Sequence, residues 1–229
     1  MDVILAPGFW LRGDSWDEVV PIVEAAGHRA HLLTRPGFAD GDDPASVTLA
    51  DQVAAVVAEI DRHEAPVVLV GHSGGGPMVY GAAEQRLDRV ARIVYVDTWP
   101  LPNGMPNNDE LPVIDGAVPL PDWSVFDEAD VRDLDEAGRA RLAALTVPEP
   151  ASSARSPQAL AGDERRRGIP TTLIASSRTE AEYREWSESP FFAELAALEH
   201  VTWVELPTGH WPQLTRPREL GEAIVAAIS

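Results

Sequence analysis

The residues with most chemical content are Ser73 and His210. Ser73 lies in Val67-Val68-Leu69-Val70-Gly71-His72-Ser73-Gly74-Gly75-Gly76-Pro77, an apolar run, a glycine-rich turn and a helix-like stretch in succession. Gly71 to Gly75 fit G-x-S-x-G, the pattern of a nucleophilic serine on a tight strand-to-helix turn. Its neighbours must lack a Cβ so that strand and helix can approach each other. The N–H of Gly74, at the helix N-terminus, is expected to point where a tetrahedral oxyanion forms. A phosphate-cradling G-x-x-x-x-G-K-[ST] loop is absent, and both registers of a dinucleotide fingerprint fail, at Ser73 and at Val79.

A serine hydroxyl needs a base within hydrogen-bond reach. Of six histidines, His28, His31, His63 and His200 read as surface residues flanking strands or ending a helix. His72 adjoins Ser73, with its side chain expected to point away from the nucleophile. His210, in Leu206-Pro207-Thr208-Gly209-His210-Trp211-Pro212, follows the last expected strand at the sheet edge where Ser73 emerges. The orienting acid has two candidates. Asp97 ends Arg92-Ile93-Val94-Tyr95-Val96-Asp97 and keeps the chain order serine, acid, histidine; Glu180 follows the penultimate strand. Asp97 is preferred. The second oxyanion donor is expected in Ala6-Pro7-Gly8-Phe9-Trp10, at the N–H of Phe9. Trp10, His72, Trp99, Trp123 and Trp211 lie in or near these loops and are the expected substrate-binding residues. No metal or organic cofactor is required by this chemistry.

These residues have to be held by a sheet. Strands are expected at Asp2 to Ala6, Arg29 to Leu33, Val67 to Val70, Arg92 to Val96, Thr171 to Ala175 and Thr202 to Glu205, several apolar throughout, as strands buried on both faces are. Helical stretches alternate with them, the α/β pattern of a mostly parallel central sheet flanked by helices. Ser15-Trp16-Asp17-Glu18 has capping-box spacing and Thr48-Leu49-Ala50-Asp51 starts another helix; a third helix follows Ser73 to about Leu87, and a last one spans Arg218 to Ile228. The proline-rich, acidic interval of about 100–168 breaks the rhythm. It is expected to be an insertion between two late strands, too polar to own a core, and to act as a lid. The chain of 229 residues is thus expected to form a single domain, 1–229.

Taken together, the segments resemble the α/β-hydrolase superfamily, specifically its compact esterase- and lactonase-like serine hydrolases. The likeness covers nearly the whole chain: Pro7-Gly8-Phe9-Trp10 as oxyanion loop, Arg35-Pro36-Gly37-Phe38 as the turn after the second strand, Gly71 to Gly75 as nucleophile elbow, and Gly209-His210 as histidine loop. The resemblance implies Ser73 as nucleophile, His210 as base, and the N–H groups of Phe9 and Gly74 as oxyanion hole. Pro7 stands where many members have histidine, and the usual acid after the penultimate strand is missing. Haloalkane dehalogenases and lactone-opening hydrolases resemble this chain in placing the acid after the earlier strand, although dehalogenases use an aspartate nucleophile.

The expected activity is hydrolysis of a carboxylic ester or lactone of a small, fairly apolar molecule. Its rivals are a cofactor-free carbon–carbon lyase of the hydroxynitrile-lyase type and a non-catalytic ligand-binding protein or sensor. The net charge of −19 argues against nucleic acid or an acidic membrane surface as partner. The expected partner is a small-molecule substrate, with a homodimer also admitted. No cysteine is present, which excludes disulfides and thiolate chemistry and is compatible with the expected cytoplasmic location.

Overall fold

A computed structural model describes residues 1–39, 42 and 46–229. In chain order the main elements are β1 (Asp2–Ala6), α1 (Val20–Ala25), β2 (Arg29–Leu32), α2 (Leu49–Asp61), β3 (Val67–His72), α3 (Gly75–Gln85), β4 (Val90–Val96), β5 (Ala117–Val118), α4 (Glu128–Val131), α5 (Glu136–Leu145), β6 (Glu149–Pro150), α6 (Ala151–Arg155), β7 (Thr171–Ala175), α7 (Glu180–Trp186), α8 (Ala193–Ala196), β8 (Val201–Glu205), α9 (Pro212–Thr215) and α10 (Pro217–Ile228). Six strands form one parallel sheet in the order β2-β1-β3-β4-β7-β8.

The apolar runs become central strands because alternate side chains feed two cores. Ile4, Leu69, Ile93 and Tyr95 pack with Val53, Val56, Met78 and Val79 of α2 and α3. Their sequence neighbours Val3, Leu5, Val68, Val70 and Val94 pack on the other face with Trp16, Val23, Leu220 and Ile224. Each fully buried Val, Leu or Ile side chain contributes about 1.5–3 kcal/mol, so both faces are strongly held.

Helix starts divide instructively. Thr48 starts α2 as expected, with a capping box: its Oγ1 accepts from the Asp51 N–H at 3.2 Å, and Asp51 Oδ2 accepts from the Thr48 N–H at 2.8 Å. The box expected at Ser15 does not form. Ser15 Oγ donates to the Arg12 carbonyl at 2.8 Å, Gly13–Trp16 is a 3₁₀ turn, and α1 opens at Val20. Burying the whole Trp16 ring fixes that turn, and Pro21, in the first turn of α1, has the φ that a helix start requires.

Residues 100–168 lie between β4 and β7 and contain the antiparallel β5–β6 pair with α4, α5 and α6. The insertion's Val118, Val131, Leu134, Leu142 and Ala154 belong to a third apolar cluster. It is shared with Phe9, Trp10, Leu11 and Trp211 of the main sheet's loops. No helix of the described residues is long and apolar enough to cross a membrane.

Candidate active site

The nucleophile turn follows β3. Ser73 is a non-glycine residue at φ 48°, in the left-handed region, which costs of order 1–3 kcal/mol and persists only where surroundings enforce it. Here the Ser73 N–H donates to the Val96 carbonyl at 3.1 Å and the Ser73 carbonyl accepts from Gly76 at 2.9 Å. A Cβ at Gly75 would lie 2.8 Å from the carbonyl oxygens of Ala6 and Pro7, so glycine there is what lets α3 meet β1. Asp97, just past β4, is likewise left-handed at φ 49°, with its N–H bonded to the Ile174 carbonyl at 3.0 Å.

These two turns and the loop after β8 bring three side chains together. His210 Nδ1 lies 2.6 Å from Asp97 Oδ2, and His210 Nε2 lies 2.8 Å from Ser73 Oγ. An ionised carboxylate only accepts, so Nδ1 carries the proton and Nε2 presents a lone pair to the serine hydroxyl. Asp97 is buried and also accepts from the Ser176 N–H (3.1 Å), the Ser177 N–H (2.9 Å) and Ser177 Oγ (2.7 Å). Burial alone would raise its pKa, but the hydrogen bond and charge of His210 and the Ser177 donors outweigh it and hold the carboxyl below its usual value. Burial likewise disfavours a charged His210, yet the hydrogen bond and charge of Asp97 prevail, so the imidazole sits above its ordinary 6.5. Glu180 takes no part. It lies at the start of α7 and is paired with Arg184 at 2.6 Å.

The insertion braces this arrangement. The His210 N–H donates to the Asp130 carbonyl at 2.8 Å. Glycine is required at 209, where a Cβ would stand 2.5 Å from that carbonyl oxygen and 2.3 Å from Asp133 Oδ1. Arg132 Nη2 donates to the carbonyls of Ser176 and Ser177 at 2.9 and 2.7 Å, holding the loop that holds Asp97. Asn107 Nδ2 donates to the Gly74 carbonyl at 2.9 Å. Among the described residues neither the Phe9 nor the Gly74 N–H has a backbone acceptor, and both residues line the same cavity as Ser73. Gly8 lies against the turn: a Cβ there would be 2.8 Å from Ser73 Cβ.

That cavity, of about 900 Å³, contains Ser73, His210 and Asp97. Trp10 and Trp99 line it, as the sequence suggested, joined by Leu101, Tyr183, Trp186 and Phe191. Trp99 contacts the Tyr183 and Phe191 rings edge-on, at 5.9 and 5.7 Å between centroids. Asp109, Glu110, Asp127 and Asp130 add acidic groups, and the one guanidinium among the lining residues, Arg178, is already bound to Asp127 and Asp130.

Three expected substrate-binding residues are elsewhere. Trp211 is buried in the third apolar cluster, with Trp123 packed against it, because their rings meet each other and Phe126 rather than the cavity. His72 is fully buried, its Nε2 donating to the His210 carbonyl at 2.7 Å and its Nδ1 accepting from Gln213 Nε2 at 3.1 Å. Burial, then the charge of His210, push His72 down to about 3, so it stays neutral and fixes the main chain of the histidine loop. Tyr183, Trp186 and Phe191 were not singled out from sequence. The i, i+3 spacing of Tyr183 and Trp186 on α7 was the available signal.

Residues 3–223 match the model of the alpha/beta hydrolase family. A pyrethroid hydrolase of Sphingobium wenxiniae is 37% identical over 97 residues, 42% of this chain and 35% of that protein, so the match spans about a third of that relative. A carbendazim hydrolyzing esterase of a Nocardioides species is 25% identical over 252 residues, covering 97% of this chain and 98% of the relative. Among solved structures, an extracellular α/β-hydrolase from a Paenibacillus species superposes with a TM-score of 0.80 at 21% identity, covering 99% of this chain and 98% of that one.

Proposed function

Because the chain belongs to the alpha/beta hydrolase family, we propose that it hydrolyses a carboxylic ester or lactone of a small, fairly apolar molecule through a Ser73 acyl-enzyme. The observation that carries this is the relay of short contacts, Ser73 Oγ to His210 Nε2 at 2.8 Å and His210 Nδ1 to Asp97 Oδ2 at 2.6 Å. Ser73 Oγ attacks the carbonyl carbon as its proton passes to His210 Nε2. Asp97 keeps the imidazole in the reactive tautomer and stabilises the imidazolium. The carbonyl oxygen, now an oxyanion, is received by the N–H groups of Phe9 and Gly74. The C–O bond to the alcohol then breaks, and His210 returns the proton to the leaving oxygen. Water, deprotonated by His210, attacks the acyl-enzyme and releases the acid and Ser73.

The names of the pyrethroid hydrolase and the carbendazim hydrolyzing esterase support this class of reaction. The aromatic wall of Trp99, Tyr183, Trp186 and Phe191 favours a substrate with an apolar ring or chain, and the acidic lining disfavours an anionic one. Residues 100–168, which contribute Met105 to Pro112, Val125, Phe126, Asp127 and Asp130 to the lining, act as the lid.

The test is a fluorophosphonate probe with a panel of p-nitrophenyl esters and lactones. Labelling at Ser73 and turnover that disappears in Ser73→Ala are expected. An unlabelled Ser73 together with no release from any ester or lactone overturns the proposal, in favour of a lyase or a ligand-binding protein.

A further inference from the structure

At the opposite rim of the sheet, the amino-terminal ends of β1 and β2 meet the last turn of α2 and the residues after it. There Asp2, His31 and His63, scattered in sequence, converge so that one ligand atom from each lies within 4.8 Å of the others. His31 and His63, read from sequence as surface residues, have side chains only 28% and 11% exposed, and Asp2 is buried. The two imidazoles face each other, 4.4 Å between centroids.

The orientation of the rings is informative. His31 Nε2 and His63 Nδ1 both face Asp2 Oδ1, at 2.8 and 3.5 Å. The other nitrogens, His31 Nδ1 and His63 Nε2, both face Glu59 Oε1, at 4.0 and 3.3 Å. Glu59 is itself fixed, its Oε2 accepting from Arg62 at 3.0 Å. His31 Nε2 donates to Asp2 Oδ1 at 2.8 Å, a proton that a bound cation would replace, and of the outer nitrogens only His63 Nε2 is within hydrogen-bond distance of Glu59. A buried carboxylate oxygen flanked by two imidazole nitrogens is the donor set of a histidine-carboxylate metal site. The groups come from three elements already locked by the sheet, so little ordering is needed on binding.

From this we infer a second, non-catalytic site: Asp2 Oδ1, His31 Nε2 and His63 Nδ1 bind a divalent transition cation, zinc by its preference for two nitrogens and an oxygen, with Glu59 orienting the His63 ring. A fourth position is left for water. The ion would tie the edge strand β2 and the end of α2 to β1. Its competitor is Arg29, which binds the same Asp2 carboxylate through Nε (2.7 Å) and Nη2 (2.6 Å) from a side chain 75% exposed. Removing that guanidinium therefore improves the site, an effect that adventitious surface binding would not show.

The test uses tag-free, chelator-treated protein titrated calorimetrically with zinc chloride in a non-coordinating buffer, with circular dichroism to verify that each variant is folded. One equivalent is expected to bind with micromolar or tighter affinity. His31→Ala/His63→Ala abolishes that binding, Glu59→Gln weakens it about 10-fold, and Arg29→Ala tightens it. Cobalt substitution of the unmodified protein adds a readout independent of variants, the visible bands of a four-coordinate ion. The inference is overturned if the unmodified protein shows no saturable binding, if the double-histidine variant binds as well as it does, or if Arg29→Ala leaves affinity unchanged or weaker.

Discussion

The two rims of the sheet hold nearly the same pair of groups. At the carboxyl rim His210 meets buried Asp97 at 2.6 Å, and at the amino rim His31 meets buried Asp2 at 2.8 Å. What surrounds the pairs differs. Asp97 is satisfied by neutral donors, Ser176 and Ser177, so its charge remains available to the imidazole. Asp2 is clamped by Arg29, the first of the influences that hold its carboxyl well below the usual range. His210 further has a serine hydroxyl within 2.8 Å, a cavity beside it, and two strained turns that fix the geometry. An Asp–His contact is therefore a common part. It is suited to activating a nucleophile where the carboxylate is uncompensated by a fixed cation and a hydroxyl donor faces the second imidazole nitrogen.

The sharpest way to break this contrast is at the nucleophile. Ser73→Ala is expected to lower kcat about 10⁶-fold, whereas Asp2→Asn leaves it unchanged; ester hydrolysis measured on both decides. Next, Asp97→Asn, which leaves the imidazole in the wrong tautomer, should cost about 10⁴-fold in kcat, with Glu180→Gln at the original rate. The reverse order would return the acid to α7. Gly8→Ala should lose about 10²–10³-fold in kcat, because its Cβ would stand 2.7 Å from His72 Nδ1 and push the Phe9 N–H out of line. Burst kinetics would show the loss in acylation. The smallest effect concerns pH. His210 must be neutral to act as base and its pKa is raised, so kcat/KM should fall on acidification with a midpoint above the ordinary imidazole value of 6.5. A pH–rate profile with its midpoint at or below 6.5 would mean that Asp97 does not stabilise the imidazolium.

Much of the carboxyl rim was readable from sequence because backbone geometry dictates residue type there. Only glycine fits at 71, 74, 75 and 76 beside Ser73, only an apolar run fits β3, Asp97 follows β4 directly, and His210 lies in the loop after β8. Side-chain direction left no such mark. Trp123 and Trp211 stand near the site loops in sequence yet turn into the third apolar cluster, while Tyr183 and Trp186 reach the cavity from a helix whose pattern reads as an ordinary amphipathic one. His72 was expected to turn away from Ser73 and does, but its grip on the His210 carbonyl crosses 138 residues. Ser15 shows the limit of a local motif: its capping box lost to burial of the adjacent Trp16 ring and to the start that Pro21 offers. The amino-rim cluster was invisible because β1, β2 and α2 assemble it only through the order of the sheet.

One buried contact bears on how substrate enters. Arg35 and Glu149 are paired at 3.1 Å with side chains 1% and 0% exposed. Arg35 Nη2 donates to the carbonyls of Gly8 and Leu11, while Gln52 and Ser153 hold the Glu149 carboxylate. Separating such a pair strands a charge without water, at about 3–5 kcal/mol, so a state with Glu149 withdrawn would be populated below about 1% of the time. The rear half of the insertion is thus anchored to the main sheet's loops, and a lid that opened would have to move in the stretch ahead of it, which supplies Asp109, Glu110 and Leu111 to the cavity lining.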